Sequence, residues 1–215
     1  MKKRWMIAFA ALLAVAVYLT RSASPEVGNT TLKAALAAPA QTDAKVQQGK
    51  HGGFESQIKY GEHLVWIMGC HDCHTPKKMT DKGPVLDMAL ALSGHPSKMP
   101  PPDVNREEVE KKGLAVTNTL TAWVGPWGVS YAANLTSDKT GIGTWQEKNF
   151  ITSIRQGKHK GIPTARTLLP PMPWEMYQHL TDEEAKAIFA YLKSTKPVRN
   201  VVPAPQSPVK ASASK

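Results

Sequence analysis

Cys70-His71-Asp72-Cys73-His74 is the stretch from which the rest of the chain can be read. Two thiols stand three residues apart, and an imidazole follows the second directly. They are the only cysteines among 215 residues, so none is left over for another role. Three chemistries use such a pair. A disulfide between Cys70 and Cys73 would suit an oxidising compartment. A zinc site would need two more ligands at knuckle-like spacing. The remaining histidines outside the motif (His51, His63, His95, His159, His179) are scattered singly and form no such pair. The third chemistry is covalent. Two thiols at this spacing add to the two vinyl groups of one porphyrin, and the histidine after the second lies beneath the iron. The flanking sequence favours this reading.

The chain is 41% hydrophobic but only 7% aromatic, with 17 prolines and 15 glycines. That suits one domain with an insertion and tails, and a large apolar cofactor would supply missing core. The net charge is +10. Removing the first forty residues, with five basic and one acidic side chain, leaves about +6. The basic residues are dispersed and no nucleic-acid-binding motif accompanies them, so no nucleic acid partner is expected. A basic surface on a small redox protein steers docking to an acidic partner or an anionic membrane.

Residues 1–21 read as a signal peptide or N-terminal anchor. Lys2-Lys3-Arg4 precede an uncharged apolar run from Trp5 to Leu19. Export to the periplasm follows, with the protein either tethered to the inner membrane or released. Residues 22–52 read as a flexible linker, 53–197 as the domain, and 198–215 as a tail. Phe54 to Met68 carry apolar residues at helical spacing and lead the chain into Cys70. Gly61 inside that helix is explained by a second helix crossing very closely, with Phe189 or Tyr191 against it.

A ligating imidazole needs its other nitrogen held. The carbonyl of Pro84 is the first candidate and that of Pro76 the second. Residues 85–130 are expected to be an insertion: loop over 85–113 with one or two exposed turns from Arg106 to Lys112, His95 and Met99 on the surface, then a short hairpin turning at Gly125-Pro126-Trp127-Gly128. Thr144-Trp145-Gln146-Glu147 reads as a capping box opening a helix to Gln156. Trp145, through its indole N–H, and Arg155 are the candidate partners for porphyrin propionates. In Leu168-Leu169-Pro170-Pro171-Met172-Pro173-Trp174 the prolines stiffen the backbone and can aim one thioether. Met172 is therefore the expected second axial ligand; Met176, on a short helix opened by Pro173, is its competitor. A second capping box at Thr181–Glu184 opens an amphipathic helix with Ala185, Ile188, Phe189 and Leu192 on one face.

These motifs, in this order, resemble the bacterial class I cytochrome c family over roughly residues 54–196. A narrower likeness is to the periplasmic cytochrome c domains that accompany membrane dehydrogenases. It rests on Asn134-Leu135-Thr136, Thr140-Gly141-Ile142-Gly143-Thr144-Trp145, Pro171-Met172-Pro173 and Leu180-Thr181-Asp182-Glu183. The resemblance implies an all-α class I cytochrome c-like fold around one covalent haem c, attached by Cys70 and Cys73, with His74 and Met172 on the iron. It implies a one-electron carrier rather than an enzyme, serving a dehydrogenase, a terminal oxidase or another cytochrome. Lys77, Lys78, Lys158 and Lys160 are the expected docking charges. Two other readings are a haem sensor with a labile Met172, and a relay subunit of a membrane dehydrogenase. A single attachment motif argues against a di-haem peroxidase.

Overall fold

A computed structural model describes residues 50–209. The leader over 1–21, nearly all of the expected linker and the end of the tail lie outside these residues. Among the described residues no helix is long and apolar enough to cross a membrane.

Helix α1, Gln57–Ile67, starts where the Ser56 hydroxyl accepts the Lys59 amide at 3.2 Å. That bond satisfies one of the donors a helix start leaves open. Gly69, at φ 68°, turns the chain directly into α2, Cys70–His74. Left-handed backbone of this kind favours glycine. An antiparallel hairpin follows, β1 (Lys77–Thr80) and β2 (Gly83–Leu86). Next come α3, Arg106–Lys111, and a second hairpin, β3 (Ala122–Gly125) with β4 (Gly128–Tyr131). Then come α4, Glu147–Gln156, the short α5, Trp174–Tyr177, and α6, Asp182–Ser194.

The main core joins α1, α4 and α6. Leu64 and Val65, Phe150 and Ile154, and Ala187, Ile188 and Leu192 pack together with Leu92 and Ile142. The close crossing expected at Gly61 is present, but its partner is backbone. A Cβ on Gly61 would lie 1.9 Å from the Ala187 carbonyl oxygen and 2.9 Å from the Tyr191 Cβ. Helix α6 opens with the expected capping box, Thr181 accepting the Glu184 amide and Glu184 accepting the Thr181 amide. A smaller cluster, Val109, Val124 and Val129, ties α3 to the second hairpin.

The structure corrects several expectations. Among the described residues the regular elements are mostly helices, but a first hairpin, β1–β2, occupies residues whose sequence carries no strand signal. Its turn is bound by the Thr80 hydroxyl, which donates to the Gly83 carbonyl at 2.7 Å. Helix α4 starts at Glu147, not at Trp145. The Trp145 amide is already bonded to the Ile142 carbonyl, and Asn149 accepts the Gln146 amide at 3.1 Å as the cap. Residues 198–209, the described part of the expected tail, are bonded back to the domain. Gln206 exchanges both backbone bonds with Val129, while Arg106 donates to the Gln206 side chain and the Ser207 carbonyl.

His95, expected on the surface, has no exposed area. Its Nε2 bonds the Met99 carbonyl and its Nδ1 the Thr121 hydroxyl, each at 2.9 Å. A carbonyl only accepts, so Nε2 carries the proton and Nδ1 accepts the hydroxyl hydrogen. Loop composition misleads here because a ring with both nitrogens bonded loses little on leaving water. Burial holds the His95 pKa below its ordinary value, against a smaller upward effect of the Met99 carbonyl.

Two outcomes are expected. Gly61→Ala should cost about 2–3 kcal/mol in denaturant unfolding, because the clash is with backbone that no rotamer change relieves. The better helix propensity of Ala returns only about 1 kcal/mol of the gross penalty. His95 is neutral in the fold and its folded pKa is depressed, so its stabilisation is present above the unfolded pKa near 6.5 and lost as pH falls below it. Unfolding measured from pH 7 downward should therefore show a flatter acid slope for His95→Gln than for the parent protein.

Candidate functional site

The site is built from a five-residue helix and what surrounds it. In α2, Cys70 and Cys73 stand at i and i+3, so both thiols lie on one face. Both are free and partly buried. Burial pushes the Cys70 thiol up to about 12, and it raises Cys73 as well. Raised thiols of this kind are poor nucleophiles at neutral pH. Among the described residues no cluster of three or more His, Cys, Asp or Glu side chains could hold a metal ion, so zinc has no ligand set there.

His74 is 9% exposed, and burial lowers its pKa. Its Nδ1 lies 2.8 Å from the carbonyl oxygen of Ala133, fifty-nine residues on. That contact fixes the proton on Nδ1 and leaves the Nε2 lone pair to coordinate. Pro84 does not take this role. It sits exposed in β2, opposite Met79. The Pro76 carbonyl is also committed, accepting the Asp87 amide at 2.8 Å. The expected acceptor exists, but the chain supplies it from beyond the insertion. A backbone carbonyl carries no side-chain signature, so nothing in the sequence singles out Ala133.

The residues around α2 hold it rigidly. The Thr75 hydroxyl bonds His71 Nδ1 at 2.8 Å and accepts the Leu92 amide at 3.0 Å. His71 stacks on Trp66, ring centres 4.1 Å apart. The Lys77 ammonium turns inward to the carbonyls of Asp72 and Thr75, closing the C-terminal end of the helix. Burial lowers its pKa. Lys77 is therefore a structural cation, and of the expected docking charges Lys78 and Lys160 are the exposed ones.

The methionine segment leads into α5, whose Tyr177 lies beside the same helix. Met172 is half-buried, whereas Met176 is 68% exposed on α5. One turn beyond Met172, the Tyr177 hydroxyl donates to the Met68 carbonyl at 3.0 Å. Burial, reinforced by the nearby Cys70 and Cys73, pushes the Tyr177 phenol up to about 12. Trp145 packs against the main core. Arg155, expected to face a propionate, pairs instead with Asp182 in the first turn of α6 at 2.7 Å. Its Nε is buried without a partner.

The Asn134-Leu135-Thr136 and Gly141-Ile142-Gly143 motifs are architectural. Asn134 Oδ1 accepts from the Thr136 amide and hydroxyl, and its Nδ2 donates to the Val198 carbonyl. A Cβ on Gly143 would meet the Ser137 carbonyl at 2.3 Å. Together they lock the turn between the second hairpin and α4 against the docked tail.

Comparison with known proteins agrees with this arrangement. Residues 58–196 match the Cytochrome c family. The chain is 36% identical over 85 residues to the fructose dehydrogenase cytochrome subunit of Gluconobacter japonicus, covering 39% of this chain and 17% of that protein. To the gluconate 2-dehydrogenase cytochrome c subunit of Pantoea cypripedii it is 40% identical over 67 residues, covering 31% and 14%. To the cytochrome c subunit of the quinone-type alcohol dehydrogenase of Gluconacetobacter polyoxogenes it is 36% identical over 75 residues, covering 34% and 15%. The matched stretch spans less than a fifth of each of these relatives. The two cysteines on one face of α2, the oriented imidazole and the family match meet in one conclusion: the chain belongs to the cytochrome c family, and its cofactor is a covalent haem c with its iron.

Proposed function

We propose that this protein is a periplasmic one-electron carrier with a single haem held by Cys70 and Cys73 through thioether bonds and ligated by His74 and Met172. The observation that carries the reading is the His74–Ala133 contact, which presents one imidazole lone pair beside the partly buried Cys70 and Cys73. The haem would be held by Cys70, Cys73, His74 and Met172 and would supply one-electron chemistry, with a thioether ligand beside an imidazole favouring the reduced state. His74 keeps its Nδ1 proton on the Ala133 carbonyl throughout, so no proton need move with the electron. Tyr177 and the α1–α6 core limit rearrangement around the site and exclude water. With His74 and Met172 both on the iron no position is left for a substrate, which favours a carrier over an enzyme or a gas sensor.

The printed names of the relatives support a dehydrogenase as the electron donor, with this chain as its relay. The apolar leader of residues 5–19 supports export, where it would act as signal or tether. The domain limits proposed are 53–197, with the insertion at about 85–130.

Three results are expected. The denatured holoprotein should titrate for no free thiol, and Cys70→Ala should retain one thioether. Met172→Ala should abolish the weak red absorption band of a sulphur-ligated ferric haem and let the reduced protein bind carbon monoxide at once. An unchanged spectrum in that variant would overturn the ligation. Replacing Lys78 and Lys160 by Gln should slow reduction by the partner and flatten its dependence on ionic strength, as steering by exposed charge requires.

A further inference from the structure

Met172 stands in a segment poor in donors. Pro170, Pro171 and Pro173 have no amide N–H. The Leu168 amide donates to the Gly157 carbonyl at 2.6 Å, and the Trp174 amide donates to the Met172 carbonyl at 2.9 Å. Between these points the Met172 amide donates only to the Leu169 carbonyl, at a long 3.3 Å. Proline rings stiffen this stretch, and a further tie to the rest of the protein can come from a donor elsewhere in the chain.

The second hairpin supplies one. The Ser130 hydroxyl, in β4, donates to the Pro170 carbonyl at 2.6 Å, across forty residues. Ser130 is 6% exposed. Its oxygen in turn accepts the indole N–H of Trp127 at 3.0 Å. With that lone pair used, the hydroxyl hydrogen is directed to Pro170. The indole folds back over the hairpin because residue 125 is glycine: a Cβ there would lie 2.6 Å from the Trp127 ring. Three residues after Ser130, Ala133 holds His74. Between them the Ala132 amide and carbonyl are bonded to Thr121 and His95.

We infer that Ser130, oriented by Trp127, is a positioning residue that aims Met172 at the iron, so that the single stretch 130–133 sets both axial ligands. The inference rests on the proposed His74/Met172 ligation.

The test uses ferric holoprotein titrated with imidazole, which competes with Met172 for the iron, and follows loss of the red band. Ser130→Ala should take up imidazole at roughly three- to tenfold lower concentration, the effect of losing one hydrogen bond. Ser130→Thr, which keeps the hydroxyl, should restore the parent titration. Trp127→Phe should shift it in the same direction by less, and it serves should Ser130→Ala fail to fold. Val109→Ala, which loosens the valine cluster but leaves the tether, should leave the titration where it is.

If Ser130→Ala and Trp127→Phe both titrate like the parent while Met172→Ala lacks the band, the ligation stands and the tether is wrong. If Val109→Ala shifts the titration as far as Ser130→Ala, the effect is general loosening and the inference is overturned. If Met172→Ala keeps the band, the ligation reading fails and this inference fails with it.

Discussion

A buried imidazole that offers one lone pair must have its other nitrogen held, and in this protein the holder is the carbonyl of Ala133. The bond is short and closes a loop of fifty-nine residues. Closing so long a loop costs conformational entropy, and it is met by several contacts acting together. Gly94 donates its amide to the His74 carbonyl, and His95 bonds Ala132 through its own amide and Thr121 and Met99 through its ring. The insertion is thereby folded against the motif helix rather than left as an appended loop.

The helical frame does a different job. Helices α1 and α6 meet backbone to backbone at Gly61, a contact too close for any side chain. That crossing fixes where α1 ends, and α1 ends two residues before Gly69 hands the chain to Cys70. The tyrosine at the end of α5 then reaches back to Met68. The thiol pair is held from the helical side and the imidazole from the insertion side. A redox centre gains from such two-sided support, because a rigid surround changes little between oxidation states.

Several parts of this were legible in the residues. The spacing Cys70, Cys73, His74 carries its chemistry in the side chains themselves. Thr181 and Glu184 mark a helix start because both must be present for the reciprocal cap. Gly61 marks a close crossing because glycine in a helix is otherwise a cost. The turn Gly125–Gly128 is likewise written in residue types. Other parts were not legible. The acceptor for His74 is a backbone carbonyl, which every residue possesses. Arg155 was free to pair with any anion, and the geometry of α4 against α6 brought it Asp182. His95 looked like a loop residue among prolines, and only the arrival of Thr121 and the Met99 carbonyl made its burial tolerable.

The sequence by itself determined the family, the covalent cofactor and the order of the helices, because these depend on local spacing and on side-chain chemistry. Tertiary structure alone decided which carbonyl orients the imidazole, which serine reaches the methionine segment and which lysine turns inward. The first two of those choices depend on contacts between residues forty or more positions apart, and the third on how the end of α2 is closed. The chain makes these contacts through backbone groups and packing, and these leave no mark on the order of side chains.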